Sequence, residues 1–195
     1  MPQAAQRMSR VDTAWLRMDN DVNLMMIVGV WLLQPGITYE ALCERINDKL
    51  LKYPRFHQKV VQDAAGASWV DDQDFDLQRH IVREKLPKKK GQTERQALQK
   101  RAGELANTAL DHAHPLWQFS LIDHYEGGSA LIARIHQCIG DGIALISVMM
   151  SITDGGMDPP KRKKRDADEE PDWLSDAVIK PLTDLATKEI GRAHV

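Results

Sequence analysis

The chain has 195 residues, with 26 Lys or Arg against 28 Asp or Glu and an apolar share of 43%. That length accommodates one domain with a core, or a domain with a tail, and the near balance of charge leaves no basic field that would favour nucleic acid. Two cysteines, Cys43 and Cys138, are too few for a disulfide framework or a four-cysteine metal site and read as buried thiols of a reducing compartment. The opening MPQAAQRMSR lacks the apolar core of a secretory signal. The longest strongly apolar run, LMMIVGVWLL (24–33), falls short of the ~20 residues a bilayer span takes. The expected location is cytoplasmic.

In chain order, DNDVNLMMIVGVWLLQPG reads as a buried strand. It is rich in branched and aromatic residues and ends at Pro35-Gly36. Thr38 is an N-cap, and Leu42, Ile46 and Leu50 at helical spacing predict an amphipathic helix over 39–52 that Pro54 stops. RFHQKVVQ and ASWVDD read as two short strands joined by DAAGA. The polar mix of DFDLQRHIVREKLP predicts a surface segment with at most a short strand at Gln78–Val82. KKKG (88–91) is a solvated loop. A helical pattern starts at Thr93 and runs through Leu98, Leu105 and Leu110. HAHPLWQFSLIDHYEGGSALIARIHQ predicts a β-hairpin, with PLWQFSLIDH and ALIARIHQ as strands and Tyr125–Ser129 as the turn. IALISVMMSI has helical length and an apolar face expected to pack on the sheet. This order predicts an α/β fold with a mixed sheet covered by helices.

From Thr153 the composition changes. GGMDPP breaks structure, and KRKKR and DADEEPD follow as a basic and an acidic block. Residues 156–172 read as a charged linker, since the acids neutralise a basic block that would otherwise suggest nuclear or nucleic-acid targeting. WLSDAVIKPLTDLATKEI predicts a helix kinked at Pro181, in a tail covering 173–195.

The stretch RIHQCIGDGIALI (134–146) carries the chemistry. Asp141-Gly142 has an ordinary reading, because Asp starts helices and Gly permits tight turns. Its context adds to that. RIHQCIGDGIALI resembles the HHxxxDG segment of bacterial wax ester synthase/diacylglycerol acyltransferases. Two further stretches resemble the same family in order and spacing: the PLW triplet at Pro115–Trp117 and the opening VDTAWLRMDNDVNLMMIVGVWLL. HHxxxDG alone is shared with condensation domains and chloramphenicol-acetyltransferase-like enzymes; the three features together point to the wax ester/triacylglycerol branch.

The resemblance implies a chloramphenicol-acetyltransferase-like α/β half-domain, with residues 9–155 as an acyltransferase N-terminal domain. It implies acyl transfer from acyl-CoA to a long-chain alcohol or diacylglycerol, with no metal and no bound cofactor. In that family the second histidine of the motif is the general base, a task that suits an imidazole titrating near working pH. The aspartate orients the motif and the glycine leaves room for substrate.

Carried onto this chain, the first histidine is His136, the aspartate Asp141 and the glycine Gly142. The base position falls on Gln137. Using His136 instead would put five steps rather than four before Asp141, and strand alternation turns His136 to the opposite face. Glutamine donates and accepts hydrogen bonds but holds no proton at neutral pH, and loss of a general base typically costs ~10²–10⁴-fold in rate. Three explanations stand: an inactivated form of an active parent, a natural degenerate member, or a substitute base among His112, His114 and His124.

The remaining features have plain readings. His136 is a hydrogen-bonded structural histidine. Cys138, on the His136 face if the strand continues, is a buried thiol rather than a nucleophile. His112 and His114 form a turn before Pro115 rather than a metal site. Trp117, Met25-Met26 and Met149-Met150 fill the core. The chain stops near the linker, so the resemblance implies that a second half-domain, a partner chain or self-association closes the substrate tunnel. Peripheral contact with membrane or lipid inclusions fits such substrates. The competing class is a non-catalytic module of the same fold that binds lipid, acyl-CoA or a partner.

Overall fold

A computed structural model of the chain describes residues 5–64, 66–87, 89–140 and 142–153. The expected linker and helical tail lie outside the described residues. The chain divides into two units, Met1–Ile139 and Gly140–Val195.

In the first unit, β1 (Gln6–Arg7) leads into α1 (Arg10–Met18). α1 starts at Ser9, whose hydroxyl accepts from the Asp12 N–H at 3.0 Å, and ends at Asp19 in extended backbone. Sequence reading made no assignment for α1, although Val11, Trp15 and Met18 recur at helical spacing; Leu16 alone of its residues is buried. β2 (Met26–Leu33) follows. α2 (Tyr39–Arg45) is capped as expected by Thr38, whose hydroxyl accepts from the Ala41 N–H at 3.2 Å. It widens into a π-helical turn over Ile46–Leu50, and Leu42, Ile46 and Leu50 are all buried.

β3 (Gln58–Asp63) and β4 (Gly66–Asp71) form the expected pair. The next segment corrects the sequence reading. Most of it is exposed or half-buried as expected, but the short strand comes later: α3 (Leu77–His80) runs into β5 (Ile81–Glu84), and His80 and Ile81 are 3% and 1% exposed. The exposed polar neighbours Arg79 and Arg83 masked these inward positions.

α4 (Glu94–Ala106) begins with a reciprocal capping box between Thr93 and Gln96 and stops at Ala106, short of Leu110. β6 (Trp117–Tyr125) and β7 (Gly128–His136) make the hairpin. Its two turn residues, Glu126 and Gly127, have φ of 44° and 82°; paired positive φ values match the right-handed twist of the strands. In the second unit, α5 (Gly142–Ser151) has buried Ala144, Leu145, Val148 and Met149 and exposed Ile146 and Met150. Met149 is thus core filler as expected, while Met150 faces solvent.

Two sheets result. The smaller has the order β1-β4-β3; the larger, β2-β7-β6-β5, is mixed because β5 runs parallel to β6. Register sorts the larger sheet into two faces. Val28, Val30 and Leu32 stand opposite Arg134, Ile132 and Ala130. On this face Leu98 and Leu105 of α4 pack with Ile122, Tyr125, Ala130 and Ile132. Strand alternation places His136 on the α4 side as well. The other face carries Trp117, Phe119, Leu121, Ala133 and Ile135, all buried. Trp117 donates its indole N–H to the Phe56 carbonyl at 2.8 Å and stacks on His80.

β2 is an edge strand rather than the buried strand expected, with Val30 45% and Leu32 59% exposed. Composition could not tell the two apart, since both read as apolar runs. The register makes a direct forecast. Ile132→Ala, at 0% exposure, is expected to lose ~2–5 kcal/mol in urea unfolding, whereas Leu32→Thr stays within about 0.5 kcal/mol.

Candidate functional site

β7 stops at His136, and Gln137 begins a turn in which the Ile139 N–H donates to the His136 carbonyl at 3.0 Å. The turn is tied on both sides. The His136 N–H donates to the Leu116 carbonyl at 2.9 Å, and the Gln137 N–H donates to the Met25 carbonyl at 2.8 Å. Gln137 is half-buried. Gly142 opens α5 and is half-buried, while Asp141 lies outside the described residues.

His136 is 2% exposed. Its Nδ1 receives the Cys138 N–H at 3.0 Å. That bond takes the Nδ1 lone pair, so the neutral ring carries its proton on Nε2. Nε2 lies 3.7 Å from Asp19 Oδ1 and makes no hydrogen bond. Burial lowers the His136 pKa from 6.5 to about 4; Asp19 opposes the shift and nearby His112 adds to it. His136 is therefore neutral near pH 7, and its basic nitrogen is already occupied.

Cys138 does not share a strand face with His136, because the strand ends before it; its backbone N–H caps the ring instead. The thiol is 1% exposed, and burial raises its pKa well above the ordinary value, which disfavours the thiolate.

Asp19 joins these parts, and sequence reading gave it no role. Its Oδ1 accepts from the Met25 N–H at 2.7 Å, and its Oδ2 lies 3.2 Å from His112 Nε2. The His112 and His136 rings meet edge to face, with centroids 6.1 Å apart. His112 and Asp19 are 93 positions apart, so no local signal could have joined them.

His114 goes elsewhere. Its Nδ1 lies 3.1 Å from Asp72 Oδ2, and its Nε2 lies 3.3 Å from an Arg79 nitrogen. Burial works against the charge on Asp72, yet the bonds from His114 and Lys59 outweigh it and hold the carboxyl below its ordinary pKa. The two histidines thus serve different carboxylates. Among the described residues no three His, Cys, Asp or Glu side chains are arranged to hold a metal ion. His124 sits beside the hairpin turn, at the opposite end of β6 from Trp117, which pairs next to His136.

Comparison with known proteins places these features in context. Residues 8–189 match the family model described as the wax ester synthase/diacylglycerol acyltransferase catalytic domain. A probable diacylglycerol O-acyltransferase of Mycobacterium tuberculosis, tgs3, is 32% identical over 162 residues, covering 79% of this chain and 58% of that protein. Wax ester synthase/diacylglycerol acyltransferase 3 of Arabidopsis thaliana is 29% identical over 122 residues, covering 61% of this chain and 25% of its own length. The chain therefore spans little more than half of the first relative and a quarter of the second.

Among solved structures, the wax ester synthase/diacylglycerol acyltransferase from Marinobacter aquaeolei VT8 superposes with a TM-score of 0.54 at 20% identity, over 74% of this chain and 36% of that one. The starter condensation domain of rhizomide synthetase RzmA superposes at 0.60 and 13% identity, over 77% and 36%. The fold is thus the chloramphenicol-acetyltransferase-like α/β architecture, with its mixed sheet.

The tautomer and burial of His136 set a pH dependence. The native ring takes up a proton only near pH 4, against 6.5 for an unperturbed histidine. Unfolding therefore binds a proton in that window. Native stability falls as pH drops from 6.5 to about 4, and His136 contributes no pH dependence above that range. In His136→Asn an amide oxygen can replace Nδ1 as the acceptor for the Cys138 N–H. Urea midpoints measured at about pH 7, 5.5 and 4.5 should then show a shallower acid loss. Buried His80, also lowered, keeps part of it.

Proposed function

We propose that this chain, which belongs to the wax ester synthase/diacylglycerol acyltransferase family, supplies the motif-bearing half of an O-acyltransferase. Acyl-CoA is the donor and enters as substrate; no cofactor takes part. The acceptor is a long-chain alcohol or a diacylglycerol. Its oxygen attacks the thioester carbonyl and CoA leaves. The observation that carries this reading is the family match over residues 8–189, which includes the turn of His136 and Gln137 and the helix opened by Gly142.

In this reading His136 braces the turn, Asp141 orients the motif and Gly142 leaves room for the reacting groups. Gln137 holds the acceptor hydroxyl by hydrogen bonding but cannot keep its proton, so turnover is weak. A second half-domain, from a partner chain or a second copy, completes the acyl tunnel. No helix among the described residues is long and apolar enough to cross a membrane. We place the protein in the cytoplasm, in peripheral contact with membranes or lipid inclusions that hold its substrates. Gln137 also favours a second reading, a non-catalytic module of this fold that binds lipid, acyl-CoA or a partner.

The test is CoA release from palmitoyl-CoA with hexadecanol or diacylglycerol. It compares the chain with its Gln137→His form, each alone and mixed with the C-terminal half of a relative shown to dock. Gln137→His is expected to raise the rate by ~10²–10⁴-fold, the usual worth of a general base. No turnover in any mixture would leave the binding module standing.

A further inference from the structure

We propose that the outward face of α1, with the turn that follows it, docks the protein on an anionic lipid surface; this deepens the lipid-contact reading above. α1 sorts its side chains by chemistry. Successive residues of a helix turn by about 100°, so positions three, four and seven apart share a side. Leu16 is buried, and Asp12 and Asp19, four before and three after it, lie on the same inner side. Asp12 is half-buried, and the Asp19 side chain is 10% exposed.

Val11, Ala14 and Met18 share the outer side. All three are exposed, Val11 by 64% and Met18 by 44%. Trp15 borders them and is half-buried. Arg10 and Arg17 stand one position before Val11 and Met18 and are exposed along one border of the stripe. The helix thus turns its acids inward and its apolar and basic residues outward.

The turn after α1 extends the stripe. Val22 is 96% exposed. It is held in that position, because the Asn20 side-chain oxygen accepts from the Val22 N–H at 3.1 Å, and Asn20 and Asn23 exchange backbone hydrogen bonds of 3.3 and 2.9 Å. An apolar side chain on a fixed turn is presented to whatever covers that end of the helix.

Charge decides the occupant. A narrow apolar stripe bordered by arginines is the pattern of a helix lying in the plane of a lipid interface. Val11, Met18 and Val22 enter the acyl boundary, and the arginine stems lie along it while their guanidiniums meet headgroup phosphates. With Asp12 and Asp19 turned inward, the outer face sets two arginines against the exposed Asp21 beside Val22. The position also suits a lipid acceptor. Asp19 follows the last residue of α1, its carboxylate takes the Met25 N–H, and the Met25 carbonyl takes the Gln137 N–H. The stripe therefore ends beside the motif turn, where the acceptor hydroxyl is held in the reading above.

The test is sedimentation of the full 195-residue chain with vesicles of phosphatidylcholine, with and without phosphatidylglycerol. Binding is expected with phosphatidylglycerol and should weaken as salt rises. Arg10→Gln and Arg17→Gln should each cost about 5-fold, the worth of one basic residue at an anionic surface. The triple variant Val11→Ser, Met18→Ser, Val22→Ser should lose ~10-fold or more on the same vesicles. Val30→Ser with Leu32→Ser, which alters the other exposed apolar row on the β2 edge, should leave binding unchanged. Circular dichroism must show the variants folded, as exposed positions lead one to expect.

A chain that does not bind phosphatidylglycerol vesicles overturns the inference, and so do α1 variants that bind as well as the native chain. Equal loss in the β2 variant overturns it too. If size exclusion shows the triple variant failing to dock the C-terminal half, or failing to self-associate where the native chain does, the face is a protein interface and the inference falls. CoA release is scored separately. Vesicle binding that depends on α1, without turnover in any mixture, upholds the inference and removes the acyl-transfer reading; turnover without vesicle binding does the reverse.

Discussion

The Asp19 carboxylate is 10% exposed, and a nearly buried anion is tolerated only where donors surround it. Three parts of the chain converge on it. The lead-in to β2 sends the Met25 N–H, the segment before β6 sends His112, and the end of β7 sends His136. Met25 acts twice, because its carbonyl also receives the Gln137 N–H. One carboxylate therefore sets the tautomer of one imidazole, faces the proton of another, and anchors the strand that holds the motif turn. Losing it would leave the His112 ring and the Met25 N–H without their shared acceptor.

That junction rests on a rigid frame. β6 and β7 form the centre of the larger sheet. Arg134, one alternate position before His136, is 4% exposed. Its guanidinium donates to the Leu105 and Thr108 carbonyls, at the end of α4 and just beyond it. Carbonyls at a helix end have no partner within the helix, so a buried arginine satisfies them while fixing where the chain leaves α4. Burial lowers the Arg134 pKa, though a guanidinium stays charged. The segment that carries His112 is held by Arg134 near one end. At the other, the Leu116 carbonyl accepts from the His136 N–H. His112 is thus placed by the sheet, and its head group is left open.

Local chemistry was legible and distant chemistry was not. Thr38 and Thr93 announced their helices because a cap acts within three residues. The hairpin announced itself through apolar strands around a Glu-Gly turn. The motif and the PLW triplet pointed to the family over residues that its model then matched. α1 was passed over although its apolar residues Val11, Trp15 and Met18 recur at helical spacing and Ser9 caps it. β5 was underread because its parallel pairing with β6 comes from a strand more than 30 residues on. Asp19 was invisible as a site residue for the same reason: its histidine neighbours lie far away in sequence, and a lone Asp after a helix looks like a terminator.

The central claim is that Asp19 sets the tautomer of His112 while the Cys138 N–H sets that of His136. Histidine tautomers read by ¹⁵N NMR of the ¹⁵N-labelled chain near pH 7 test it most directly. The account predicts both His112 and His136 with the proton on Nε2, with the Asp19→Asn form moving the His112 proton to Nδ1. A His136 that is charged at that pH, or a His112 that carries its proton on Nδ1 in the unaltered chain, would contradict it.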